Sequence, residues 1–157
     1  HNGVFDVGFL RQIPGMTLLA PSSYAELRGM LRSAVQHTDG PIALRYPRGG
    51  EGAYTEDHWQ GQAAVCLREG TDVALVSYGI MINEALQAAA LLEAHGVSTA
   101  VYKINILTAA FHTDSSFAPQ GAVRQIYEYY HLDGNTVAKT CLEAIQHEKE
   151  ETGRSSI

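Results

Sequence analysis

A chain of 157 residues is long enough for one ordinary domain or for parts of two. With 45% hydrophobic and 18% charged residues it has the composition of a folded globular protein, which excludes a wholly disordered chain. A formal net charge of −6 disfavours nucleic acid or an anionic membrane surface as the main partner, and no apolar run of about 18 residues is present to span a bilayer.

The first predicted element is a short helix from Phe5 to Ile13, stopped by Pro14-Gly15. Met16 to Ala20 is an apolar run that ends at Pro21 and reads as a buried strand. Ser23 followed by Glu26 is a capping box, which starts a helix running to about Gln36. Leu27, Met30, Leu31 and Ala34 recur at helical spacing, with Arg28 and Arg32 on another face. Asp39-Gly40-Pro41 ends that helix, and Ile42 to Tyr46 is the next strand. Strand, helix, strand is a βαβ unit and implies a parallel sheet.

Residues 47–60 break the apolar pattern and read as an interdomain linker, the alternative being a long surface loop. A second α/β pattern follows: an edge strand from Gln62 to Leu67, a strand from Asp72 to Tyr78, and a helix from about Met81 to His95. Gly79 between the last two reads as turn geometry, and Gly96 as a helix C-cap before the strand Val97 to Ile104. From Thr108 to Pro119 the sequence is polar and irregular. Two helices are expected after it, at 121–130 and 134–148, with Asp133 capping the second, and then a frayed charged tail. The second sheet is thin for a stable domain, as though residues were missing near 107–111.

The two cysteines, Cys66 and Cys141, are far apart with no C-x-x-C, so neither a disulfide framework nor a zinc site is expected. The seven histidines show no metal-binding spacing, and no signal peptide is visible. Tyr127, Tyr129 and Tyr130 are expected to pack on a neighbouring domain or subunit.

Two places could carry chemistry. Arg48, in Arg45-Tyr46-Pro47-Arg48-Gly49, follows the carboxyl end of a predicted parallel strand, the edge at which ligands bind in open α/β sheets. Its guanidinium could clamp a phosphate through two parallel hydrogen bonds, or pair with an acidic neighbour across an interface; spacing alone leaves both open. Arg45, inside the strand, is expected to form a structural ion pair. His1, before Asn2-Gly3, could move a proton near neutral pH, but by itself reads as a tag residue or a loose terminus. The start at His1, with no methionine, reads as a start in mid-protein.

These same residues carry a family resemblance. HNGVFDVGFLRQIPGMTLLAPSSYAELRGML and DGPIALRYPRGG resemble the end of the pyrimidine-binding domain of the 1-deoxy-D-xylulose-5-phosphate synthase family. TDVALVSYGIMINEALQAAALLEAHGVSTAVYKIN and FAPQGAVRQIYEYYHLDGNTVAKTCLEAI resemble the transketolase C-terminal domain. The fold implied is α/β: the end of a transketolase-type pyrimidine-binding domain (1–50), a linker (51–60), an incomplete three-layer α/β/α C-terminal domain (61–150, with a gap near 107–111) and a tail (151–157).

The resemblance implies condensation of pyruvate with D-glyceraldehyde 3-phosphate, with loss of CO2, for isoprenoid, thiamine and pyridoxal biosynthesis. It makes His1 the active-site histidine and Arg48 the ligand of the aldehyde's phosphate. It also implies thiamine diphosphate and Mg2+, a bacterial cytoplasmic homodimer, and completion by the rest of the same polypeptide. The motif that binds diphosphate and metal, and the glutamate that activates the aminopyrimidine, are absent from this chain, so alone it is expected to be inactive. The competing readings are a transketolase, a 2-oxoacid dehydrogenase β-type subunit, and a non-catalytic dimerisation domain.

Overall fold

The computed structural model describes residues 5–36, 39–109 and 133–154. The expected βαβ unit forms: β1 (Thr17–Leu19) and β2 (Ile42–Leu44) pair in parallel, Thr17 beside Ile42 and Leu19 beside Leu44, joined through helix α2 (Tyr24–Gln36). The preceding helix α1 (Asp6–Leu10) is shorter than expected, with single turns carrying the chain on to Ile13. β2 also stops before Arg45, although the Arg45 amide still donates to the Leu19 carbonyl at 2.8 Å.

The second sheet has the order β3 (Ala64–Arg68), β5 (Thr99–Ile104), β4 (Val73–Tyr78). β4 and β5 are parallel, as the second strand–helix–strand pattern requires, and β3 is an antiparallel edge strand. A 3-10 turn at Gly79–Met81 leads from β4 into α3 (Ile82–Ala94). Gly96 ends α3 as expected. At φ 76° it donates to the Glu93 carbonyl while Val97 donates to Leu92, the paired bonds of a Schellman turn. Val97 and Leu92 then share a buried apolar cluster with Ala88 and Ala138.

Helix α4 (Gly134–Arg154) packs against α3. Asp133 caps it, accepting from the Thr136 amide at 3.1 Å and the Thr136 hydroxyl at 2.7 Å. The frayed tail expected from residue 148 is instead helical to Arg154, since Glu148, Lys149, Glu150 and Glu151 are good helix formers. The expected helix 121–130, its tyrosines, most of the irregular stretch after Thr108 and His1 lie outside the described residues.

In the second sheet α3 covers the face that carries Leu75 and Val101. On the opposite face Val76 and Tyr102 stay half exposed among the described residues.

The two halves share a core. Val7, Leu18 and Ala20 from the first pack with Ile104 and Leu107 from the second. The Ala20 amide donates to the Asn105 carbonyl at 2.9 Å, and Leu19 bridges Ile106. The segment read as a linker is part of this packing: Tyr54 is buried with Ile82, Ala85, Ala89 and Val101. The inward face of α2 also departs from expectation. Met30 is buried, but Leu31 is 52% exposed, and the fully buried polar position is Glu26. Glu26 takes that place because the start of α2 packs over a lysine of β5.

Candidate functional site

β1 and β2 end side by side, and the chain leaving β2 crosses the start of α2. Arg45 behaves as expected of a structural residue. Its Nε lies 3.0 and 3.1 Å from the two Asp6 carboxylate oxygens, and its guanidinium sits 5.8 Å from the centre of the Tyr78 ring. It therefore ties α1 to β4. Three residues on, Arg48 is exposed and makes no hydrogen bond or ion pair among the described residues. The two arginines of one short motif are thus in opposite states.

Beyond Arg48 the chain is tied down twice. Glu51 Oε1 accepts from the Tyr24 amide at the first turn of α2, at 2.5 Å. The Tyr54 amide donates to Asn83 Oδ1 at 2.8 Å, and Asn83 Nδ2 donates to the Ile80 carbonyl at 2.9 Å. Under this crossing lies a cavity of ≈ 30 Å³, walled by Pro21, Ser22, Tyr24, Pro47, Gly49 and Glu51 among others. That volume suits a single water, not a triose phosphate. The Ser22 hydroxyl is buried with no partner among the described residues.

Behind the corner is a buried polar network that local reading of the sequence misses. Ser23 Oγ accepts from the Glu26 amide at 3.1 Å, the expected half of the capping box. The return bond is displaced by one residue, with Glu26 Oε2 accepting from the Ser22 amide at 2.9 Å. Glu26 Oε1 then takes the Lys103 ammonium at 2.8 Å and the Tyr54 hydroxyl at 3.1 Å. Lys103 also donates to Asn105 Oδ1. With the Tyr54 hydroxyl donating to Glu26, its oxygen accepts from Nδ1–H of His58 at 2.7 Å. His58 Nε2 faces Glu56 Oε2 at 3.3 Å.

Burial pulls the Lys103 pKa down, opposed by its bond to Glu26 and that carboxylate's charge. Burial also pushes the Tyr54 phenol above the ordinary tyrosine range, and the Glu26 charge pushes it further. Beyond the Ser23–Glu26 capping box, a sequence signal for this network is Lys103, which shares the inward parity of Thr99 and Val101 in β5.

Among the described residues no three acidic, histidine or cysteine side chains come close enough to hold a cation. The described residues therefore lack the cation ligands that a metal-bound diphosphate needs. Among the described residues, too, no helix is long and apolar enough to cross a membrane.

Residues 1–50 match the transketolase pyrimidine-binding domain family, and residues 61–110 match the transketolase C-terminal domain family. The 1-deoxy-D-xylulose-5-phosphate synthase of Gloeobacter violaceus is 49% identical over 107 residues, covering 64% of this chain and 17% of that protein. The synthase of Chlorobium luteolum is 43% identical over 112 residues, 68% of this chain and 18% of its own length. Among solved structures, a split-gene transketolase described as an inactive beta4 tetramer superposes with a TM-score of 0.76 at 20% identity, over 91% of this chain and 62% of that one. A Pichia stipitis transketolase in complex with sedoheptulose 7-phosphate gives 0.69 at 15% identity, over 93% and 27%. These structural likenesses speak for the fold. The chain spans less than a fifth of the length of the synthases it matches, 17% and 18% in the two described.

Proposed function

We propose, from the premise that this chain belongs to the transketolase family, that it is part of a 1-deoxy-D-xylulose-5-phosphate synthase in which Arg48 holds the phosphate of D-glyceraldehyde 3-phosphate. The observation that carries this reading is the contrast at the sheet edge. Arg45 is spent on Asp6 and Tyr78, while Arg48 stands exposed and without a partner among the described residues. A guanidinium offers a phosphate two parallel charge-assisted hydrogen bonds, and a site at the carboxyl edge of parallel strands is where an α/β sheet presents a ligand.

The longer polypeptide supplies the remainder. Thiamine diphosphate and Mg2+ bind to other parts of it, pyruvate is the donor, and the family resemblance gives His1, outside the described residues, the role of hydrogen-bond donor to the reacting carbonyl. The working enzyme is a cytoplasmic homodimer, and this chain by itself turns over no substrate. Among competing readings, the synthase is favoured over a transketolase or an oxoacid dehydrogenase subunit by the synthases that match at 43% and 49% identity.

The test is Arg48→Ala in the full-length protein, assayed with pyruvate and varied D-glyceraldehyde 3-phosphate. KM for the aldehyde phosphate rises by about tenfold or more while KM for pyruvate stays put. Unchanged kinetics remove the phosphate role, and turnover with a ketose phosphate donor in place of pyruvate moves the assignment to a transketolase.

A further inference from the structure

We propose that Glu51 is a positioning residue for Arg48, holding the arginine's loop against the start of α2; the inference rests on the phosphate role proposed for Arg48. After the Arg45 amide bonds to Leu19, no backbone or side-chain hydrogen bond holds residues 46–50 among the described residues. Tyr46 is 64% exposed, Pro47 and Arg48 are exposed, and Gly49-Gly50 adds the most pliable dipeptide a chain can have. A span of this kind would let an unpaired arginine sample many positions. Its next fixed point is the Glu51 carboxylate, which accepts the Tyr24 amide at 2.5 Å.

That bond has two supports. A carboxylate is stabilised at a helix N-terminus by the free amides and the helix dipole, so it is stronger than an ordinary loop contact. Just beyond it, Gly52 lies so close to the Asn83 side chain that no Cβ fits between them, and Tyr54 bonds to that same asparagine. Glu51 is therefore the near end of a strap whose far end is anchored on α3. With both ends tied, Arg48 is confined to a short arch over the sheet edge. A phosphate ligand gains affinity from an arginine already held in place, because less freedom is lost on binding.

The experiment uses the full-length enzyme and compares kcat/KM for D-glyceraldehyde 3-phosphate with that for unphosphorylated D-glyceraldehyde. Glu51→Ala lowers the preference for the phosphorylated acceptor by about tenfold, chiefly through KM, with activity on the unphosphorylated acceptor retained. Glu51→Gln keeps an oxygen to accept the Tyr24 amide and retains most of the preference. Glu51→Asp, one methylene shorter, loses it as alanine does and serves if the alanine variant does not accumulate folded. An unchanged preference in the alanine and aspartate variants overturns the inference, and so does a loss in the glutamine variant as large as in alanine. Arg48→Ala, run alongside, separates the two claims. If it lowers the preference and the Glu51 variants do not, only the positioning role falls. If it leaves the preference unchanged, the phosphate reading falls with it.

Discussion

Glu26 and Lys103, from opposite halves of the chain, lie 2.8 Å apart with both side chains wholly buried. Neither charge faces water. Each is held by the other and by neutral donors and acceptors: the Ser22 amide and Tyr54 hydroxyl on the carboxylate, and Asn105 on the ammonium. A buried pair of this kind is costly to form and more costly to break, because removing one member strands the other. It joins the start of α2 to the end of β5, close to the strand ends where Arg48 is displayed.

Replacing Lys103 with methionine is therefore expected to destabilise the fold by roughly 3–5 kcal/mol, since Glu26 stays buried without its cation. Adding Glu26→Gln to that variant recovers much of the loss. Equilibrium unfolding in urea of both variants checks this, and additive losses in the double variant would show that the two charges act independently.

Tyr54 gives the network an alkaline limb. Burial and the Glu26 charge raise its folded pKa above the ordinary 10.0, so its contribution is complete below about pH 10 and is lost as pH climbs toward the folded value. Lys103 acts in the opposite sense. Its folded pKa is lowered below 10.5, so stability from that group rises with pH between the two values. Tyr54→Phe is expected to flatten the fall in stability above pH 10 relative to the unaltered chain. Parallel falls in the two proteins, measured by thermal unfolding across pH 8–11, would remove Tyr54 from the account.

The two arginines of one motif should separate experimentally. Arg45→Gln breaks the contact with Asp6, whose members are 35% and 27% exposed, and is expected to cost only about 0.5–1 kcal/mol of stability. Arg48→Ala removes no partner among the described residues and is expected to leave the unfolding midpoint unchanged, while, on the proposed phosphate role, raising KM for the aldehyde phosphate in the full-length protein. Thermal melts and steady-state kinetics on the same preparations give both readouts.

Gly96 ends α3 in the left-handed region, where a Cβ is unfavourable. Gly96→Ala is expected to lose about 1–2 kcal/mol, and Gly96→Asn distinctly less, in a comparison of unfolding midpoints.

Much of this molecule was written in short-range pattern. The order strand, helix, strand, the stop at Gly96 and the Asp133 cap each depend on residues a few positions apart, so their signals lie side by side in the chain. Leu31 shows where such signals stop. Its helical spacing marks it for a core, yet it stands in solvent while Glu26 goes inside, because burial depends on which distant surface meets the helix. The same holds for Tyr54 in a segment with the composition of a linker, for Lys103 in an apolar strand, and for the Glu51 carboxylate, which meets the Tyr24 amide of α2 from 27 residues away. Desolvation and long-range pairing are set by everything packed around a group, and only the folded chain brings those partners together.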